Sequence, residues 1–160
     1  MKRFKSTHRF EDIKLIDIPK EIASYFDLGN FIDYPIISIP QSFSDDRGQI
    51  INVADGILGD IAVIKTNAGA TRANHYHIED WHLCYLINGE MEYYWTEDVG
   101  SSKVNRILVK SGSLIFTPKL TPHKITFQED STFLSISRLS RVSENYESDT
   151  VRLETNSLNF

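Results

Sequence analysis

Short apolar runs divide this chain, and their spacing constrains the fold more than any other feature. Runs rich in Ile, Val, Tyr, Phe and Thr occupy residues 36–39, 49–53, 61–66, 72–77, 82–87, 90–96, 104–109, 113–117, 123–127 and 132–139. Turn formers separate them: Asp46-Arg47-Gly48, Asp55-Gly56, Asn67-Ala68-Gly69, Asn88-Gly89, Val99-Gly100-Ser101-Ser102 and Ser111-Gly112. β-Branched and aromatic side chains suit a pleated, half-buried surface, so segments at this spacing predict an all-β sandwich or barrel. Asn88-Gly89 predicts a tight hairpin between its two flanking runs, because both central positions of a primed turn need positive φ. Residues before Pro35 follow another pattern. Pro19 ahead of residues 20–26, with Gly29-Asn30 beyond, predicts one short helix whose apolar face is Ile22, Tyr25 and Phe26. The expected division is an N-terminal helical or extended arm over 1–35 and a barrel over 36–140. The polar stretch 141–160 reads as an arm, a final short strand or a frayed end.

The 160 residues suffice for one domain with a real core. Charged residues are 24% and hydrophobic residues 41%, which excludes a disordered or low-complexity chain. Seventeen Lys+Arg against 22 Asp+Glu leave a net charge of -5, which argues against a broad nucleic-acid-binding surface. No apolar run approaches the roughly 18 residues of a membrane span, so no membrane partner is expected and the protein reads as soluble and cytoplasmic. The single cysteine, Cys84, can form no intrachain disulfide and no cysteine-rich zinc site; a small buried hydrophobe is its expected role.

Four of the five histidines, His75, His77, His82 and His123, lie in the middle of the chain. His75 and His77 are two apart in a predicted strand, so both leave one face with Cα atoms about 6.5–7 Å apart. His82 opens the next run and His123, after Pro122, a later one. Neutral imidazole is a common ligand for zinc, iron, nickel and copper. Glu79 and Asp80 read as connector charges or as groups that orient a histidine. Trp81 could cover the site. Met91, Tyr93 and Trp95 alternate with Glu92 and Tyr94, which marks an inward face.

The segment Gly69, five residues, His75-x-His77, four residues, His82, six residues, Gly89 resembles the first cupin motif, with His82 in place of its glutamate. Gly112, five residues, Pro118, then His123 resembles the second, with Leu120 and Phe127 replacing a glycine and an asparagine. The resemblance covers residues 45–140 and implies a double-stranded β-helix, or jelly-roll barrel, with a short N-terminal helix. It implies a divalent metal (Zn, Fe, Ni or Mn) held by His75, His77, His82 and His123, and a homodimer.

A second resemblance lies within the cupins. Asp45-Asp46-Arg47-Gly48 and Arg72-Ala73-Asn74-His75-Tyr76-His77 are similar to motifs of cupins that act on nucleotide-linked 4-keto sugars, the dTDP-4-dehydrorhamnose 3,5-epimerases and dTDP-sugar 3,4-ketoisomerases. Tyr146-Glu147-Ser148-Asp149-Thr150-Val151-Arg152 looks like their closing stretch. This implies an isomerase or epimerase of surface polysaccharide synthesis acting on a nucleotide sugar. His75 would be the base, His77 a second acid/base, and Arg47 and Arg72 the groups that bind the substrate's anion. The chain departs from the family where Ala73 replaces a glycine. His82 stands where the epimerases have lysine, and Ser135 stands near the place of their tyrosine acid. A metal-dependent dioxygenase and a non-enzymatic carbohydrate- or metal-binding cupin are the alternatives.

Overall fold

The computed structural model describes residues 35–37, 39, 41–54 and 58–154. The expected N-terminal helix and the Asp55-Gly56 turn lie outside these residues. Along the chain run β1 (Ile36–Ile37), β2 (Gln41–Asp45), β3 (Gly48–Asn52), β4 (Asp60–Thr66), β5 (Thr71–His77) and β6 (His82–Asn88). They are followed by β7 (Glu90–Trp95), β8 (Asn105–Lys110), β9 (Leu114–Thr117), β10 (His123–Phe127) and β11 (Ser131–Ser137). A helix, α1 (Ser143–Asp149), and β12 (Thr150–Arg152) complete the described chain. Every expected run carries a strand. Of the readings open for the C-terminal stretch, the short strand is present as β12, and the helix ahead of it has no counterpart in the sequence pattern.

Two five-stranded antiparallel sheets form the barrel, in the orders β1-β9-β6-β11-β4 and β12-β5-β10-β7-β8, and β2-β3 is a separate hairpin. Alternation sets the interior, since successive side chains of a strand leave opposite faces. Cys84 and Leu86 of β6, Met91, Tyr93 and Trp95 of β7, Ile125 and Phe127 of β10 and Phe133 of β11 fill one buried cluster. The inward face expected for residues 91, 93 and 95 is therefore present. The opposite face of the first sheet is also covered. Leu83, Leu114, Phe116 and Ile136 pack there with Ile37 and Trp81. Cys84 is a core residue, and burial pushes its thiol up to about 12.

The expected Asn88-Gly89 hairpin is corrected by the structure. β6 and β7 belong to different sheets, so Gly89 is the corner at which the chain passes from one to the other. Its φ is +95°, and a Cβ there would overlap the Ser131 side chain. The signal for positive φ was right at Gly89 and wrong at Asn88, which stays in the extended end of β6, and barrel closure decided which strands pair.

Candidate active site

The four histidines gather at one end of the barrel, continuous with the aromatic interior. His75 and His77 reach it through an irregularity in β5. Ala73 and Asn74 both have left-handed backbones, φ 61° and 60°, and the β10–β5 register shifts between His123 and Lys124. Such a bulge bends a strand and re-aims its side chains. Beyond it His123 pairs with His75, and on its other side β10 pairs His123 with Trp95. The His75 ring lies 4.7 Å from His77 and 4.9 Å from His123, and His77 lies 4.2 Å from His82. Tyr93 stacks on His123 at 5.9 Å and places its hydroxyl 2.7 Å from that of Thr117.

Neighbouring acceptors fix the ring nitrogens. His77 Nδ1–H donates to Asp149 Oδ2 at 3.2 Å, and its Nε2 is buried without a partner. Asp149 is itself held by the backbone N–H groups of Glu79 and Asp80. His82 Nε2–H donates to Asp80 Oδ2 at 3.1 Å, the orienting role considered for that aspartate. Asp80 Oδ1 also accepts from the N–H groups of Trp81, Arg138 and Leu139. His123 Nδ1–H donates to the Thr121 carbonyl at 2.9 Å.

Burial keeps all four rings neutral. It pushes His75 down to about 2, helped by the neighbouring histidines, and His123 to about 4, opposed by the Thr121 carbonyl. His77 is pushed to about 3 by burial and the adjacent rings, against the pull of Asp149 and Asp80. Burial and Arg141 hold His82 well below the ordinary imidazole range.

The four expected ligands thus meet, but His82 does not present a free nitrogen for the ligand role given to it. Both His82 nitrogens are engaged, Nε2 with Asp80 and Nδ1 with Arg141 Nη2 at 3.4 Å, which also brings a fixed positive charge into the cluster. Among the described residues no group of three or more His, Cys, Asp or Glu side chains is placed to hold a metal ion. The two candidate anion-binding arginines lie elsewhere. Arg47, 84% exposed, is paired with Asp45 in the β2–β3 turn. Arg72 donates to Thr66 Oγ1 and the Lys65 carbonyl. Among the described residues no contact joins either arginine to the histidines. Trp81 packs against Phe116, 6.3 Å away on the outer face of the first sheet, and does not cover the site.

Instead the segment between β11 and β12 covers it. Arg141 Nη2 donates to Ser135 Oγ at 2.7 Å, and the guanidinium lies 5.5 Å from the Tyr146 ring. That ring is 5.8 Å from His77 and 6.4 Å from His75. Tyr146 and Asp149 are three apart in α1 and therefore share a face, which turns both toward the histidines. β12 then pairs with β5 alongside the His-x-His segment, Thr150 opposite His77 and Arg152 opposite His75. The closing stretch that contains Tyr146 and Asp149 carried the sequence signal for these two residues. No local pattern marked Arg141.

No family model matches the chain, and no curated protein matches it in sequence. Solved structures do. A dTDP-4-dehydrorhamnose 3,5-epimerase from Sulfolobus tokodaii matches with a TM-score of 0.63 at 15% identity, over 82% of this chain and 84% of that one. A double mutant of a 3,4-ketoisomerase from Thermoanaerobacterium thermosaccharolyticum, in complex with TDP, gives 0.59 at 16% identity, over 76% and 90%. A capsular polysaccharide assembling protein from Staphylococcus aureus gives 0.55 at 21% identity, over 78% of this chain and 33% of that one. The architecture expected from the two motifs is thus present: this chain has the cupin jelly-roll fold shared by the sugar-nucleotide 3,5-epimerases and 3,4-ketoisomerases.

Proposed function

We propose that the histidine pocket moves a proton at the carbon beside the ketone of a nucleotide-linked keto sugar, as an isomerase or epimerase does. The observation that carries this reading is the His77–Asp149 pair. A carboxylate fixed by two backbone amides holds the Nδ1 proton of His77 and leaves Nε2 as an unshared lone pair. A base oriented in this way by a third group is the recurring arrangement for proton abstraction. The resemblance alone would assign the base to His75. That residue has no carboxylate partner among the described residues, so we assign the first proton transfer to His77 and a supporting role to His75. One solved structure with this fold is named a dTDP-4-dehydrorhamnose 3,5-epimerase, one a dTDP sugar isomerase, and another holds TDP-4-keto-6-deoxyglucose, which makes a keto sugar nucleotide the substrate to try first.

Incubation with TDP-4-keto-6-deoxyglucose and related 4-keto sugar nucleotides in D2O tests the reading by NMR. Deuterium should enter the sugar beside the carbonyl. His77→Gln should slow this roughly 10²–10⁴-fold, the usual share of a positioned acid or base, and Asp149→Asn should slow it too. No deuterium uptake by the unaltered protein across the panel would sink the proposal.

A second reading, a binding module for the same ligands, draws on one observation. Burial holds His75 and His77 at about 2 and 3, far from the near-neutral value at which a base works best. It expects a ligand-dependent rise in melting temperature with no exchange.

A further inference from the structure

We infer that Arg141 is the group that holds the oxyanion formed in this reaction. The inference rests on the proposed proton transfer and adds a residue that the sequence did not single out. When a base takes the proton beside a ketone, the C–H electron pair forms a carbon–carbon double bond and the carbonyl π pair moves onto oxygen. Return of the proton to that carbon restores the carbonyl and leaves the imidazole neutral. In a keto shift the proton goes instead to the former carbonyl carbon, the adjacent hydroxyl gives its proton to the enolate oxygen, and the new ketone forms at the hydroxyl-bearing carbon. The negative oxygen in between needs a fixed donor or cation, because a preorganised positive group in a site closed to water stabilises developing charge strongly.

His77 cannot be both base and cation, and the other histidines are held neutral by burial. The guanidinium of Arg141 is different, since it stays charged at any working pH. It lies on the histidine cluster itself: Nη2 is 3.4 Å from His82 Nδ1, and His82 is 4.2 Å ring to ring from His77. Ser135 Oγ and the Tyr146 face hold it in place. One carboxylate approaches it. Asp60 Oδ2 is 3.8 Å from Nε, beyond hydrogen-bond reach, and both atoms are buried without a hydrogen-bond partner. Among the described residues the Nη1 donors carry no hydrogen bond. A keto sugar with its α-carbon at His77 Nε2 and its carbonyl oxygen at Arg141 would engage base and oxyanion donor together. Ser135 and Tyr146 act as positioning residues.

The test compares Arg141→Met and Arg141→Lys with the unaltered protein, each checked for a native melting transition. Two quantities are read: deuterium exchange on TDP-4-keto-6-deoxyglucose, and the Kd for TDP, which has no ketone. Arg141→Met should slow exchange roughly 10²–10³-fold with the TDP Kd unchanged, and Arg141→Lys should recover part of the rate. Full exchange in Arg141→Met overturns the assignment. So does a parallel loss of TDP affinity, which would make Arg141 a diphosphate-binding group. If neither variant melts as a folded protein, Ser135→Ala decides: it should slow exchange with TDP affinity retained, and unimpaired exchange overturns the assignment. Absence of exchange in the unaltered protein is a distinct result, which overturns the proposed function and this assignment with it.

Discussion

Among the described residues, three non-glycine residues, Ala73, Asn74 and Leu120, have left-handed backbones, and of these only asparagine adopts that shape readily. Ala73 and Leu120 have φ of 61° and 59°. Both stand where the resembling motifs have glycine, and a non-glycine residue in this region costs about 1–2 kcal/mol. The structure shows why the shape is kept. Ala73 begins the bulge that turns His75 and His77 inward, and the N–H of Leu120 donates to the His77 carbonyl at 2.7 Å. Both strained residues therefore brace the strand that carries the site, as strain often does near function. Ala73→Gly should raise unfolding free energy by about 0.5–1 kcal/mol, the relieved strain less glycine's added freedom in the unfolded chain. Leu120→Gly should gain a similar amount, since Leu120 is exposed and gives up little packing. Urea unfolding measures both, and a loss of stability in Ala73→Gly would show that its methyl group contributes more than its backbone costs.

Elements show where local and global information part. Period-two alternation made the strands and the shared face of His75 and His77 legible, because burial on one side repeats along the chain itself. Strand pairing was less legible. Asn88-Gly89 encodes a positive φ, and the same bend can close a hairpin or carry the chain across to the facing sheet. Here Gly89 abuts Ser131 at the start of β11, and its Cα side leaves no room for a methyl group. Gly89→Ala should cost about 3 kcal/mol through strain and overlap together, read as a fall in urea midpoint. A cost under about 1 kcal/mol would show that this corner relaxes freely. The helix α1 was not legible at all. It has seven residues, its N-cap is Val142 with no side-chain cap, and tertiary contacts of Tyr146 and Asp149 fix it. The Arg141–His82 contact spans 59 residues, a distance at which no periodicity operates.

At the scale of the molecule, four buried neutral histidines couple folding to pH. In the unfolded chain each binds a proton near pH 6.5, whereas the folded protein resists until about 4 at His123, 3 at His77 and 2 at His75. The unfolded state therefore binds more protons at every pH between these limits, and stability must fall as pH is lowered through 6.5. Each fully suppressed histidine contributes about 1.4 kcal/mol per pH unit, so four set an upper slope of roughly 5 kcal/mol per unit. Asp80 acts in the opposite direction. Its burial raises the carboxyl, so the folded state takes up that proton more readily as the solution becomes acid. Asp45 and Glu147 are lowered by their arginine partners, yet both pairs are solvent-exposed and screened, so they add little. With a typical stability of about 5–15 kcal/mol, the barrel should unfold well before its histidines charge in place. Urea unfolding at a series of pH values from 8 to 4 should show a plateau above about pH 7 and a steep decline below 6.5. A flat profile from pH 7 to 5 would mean that the rings titrate in the folded protein near their ordinary value, and that the pocket is far wetter than its packing indicates.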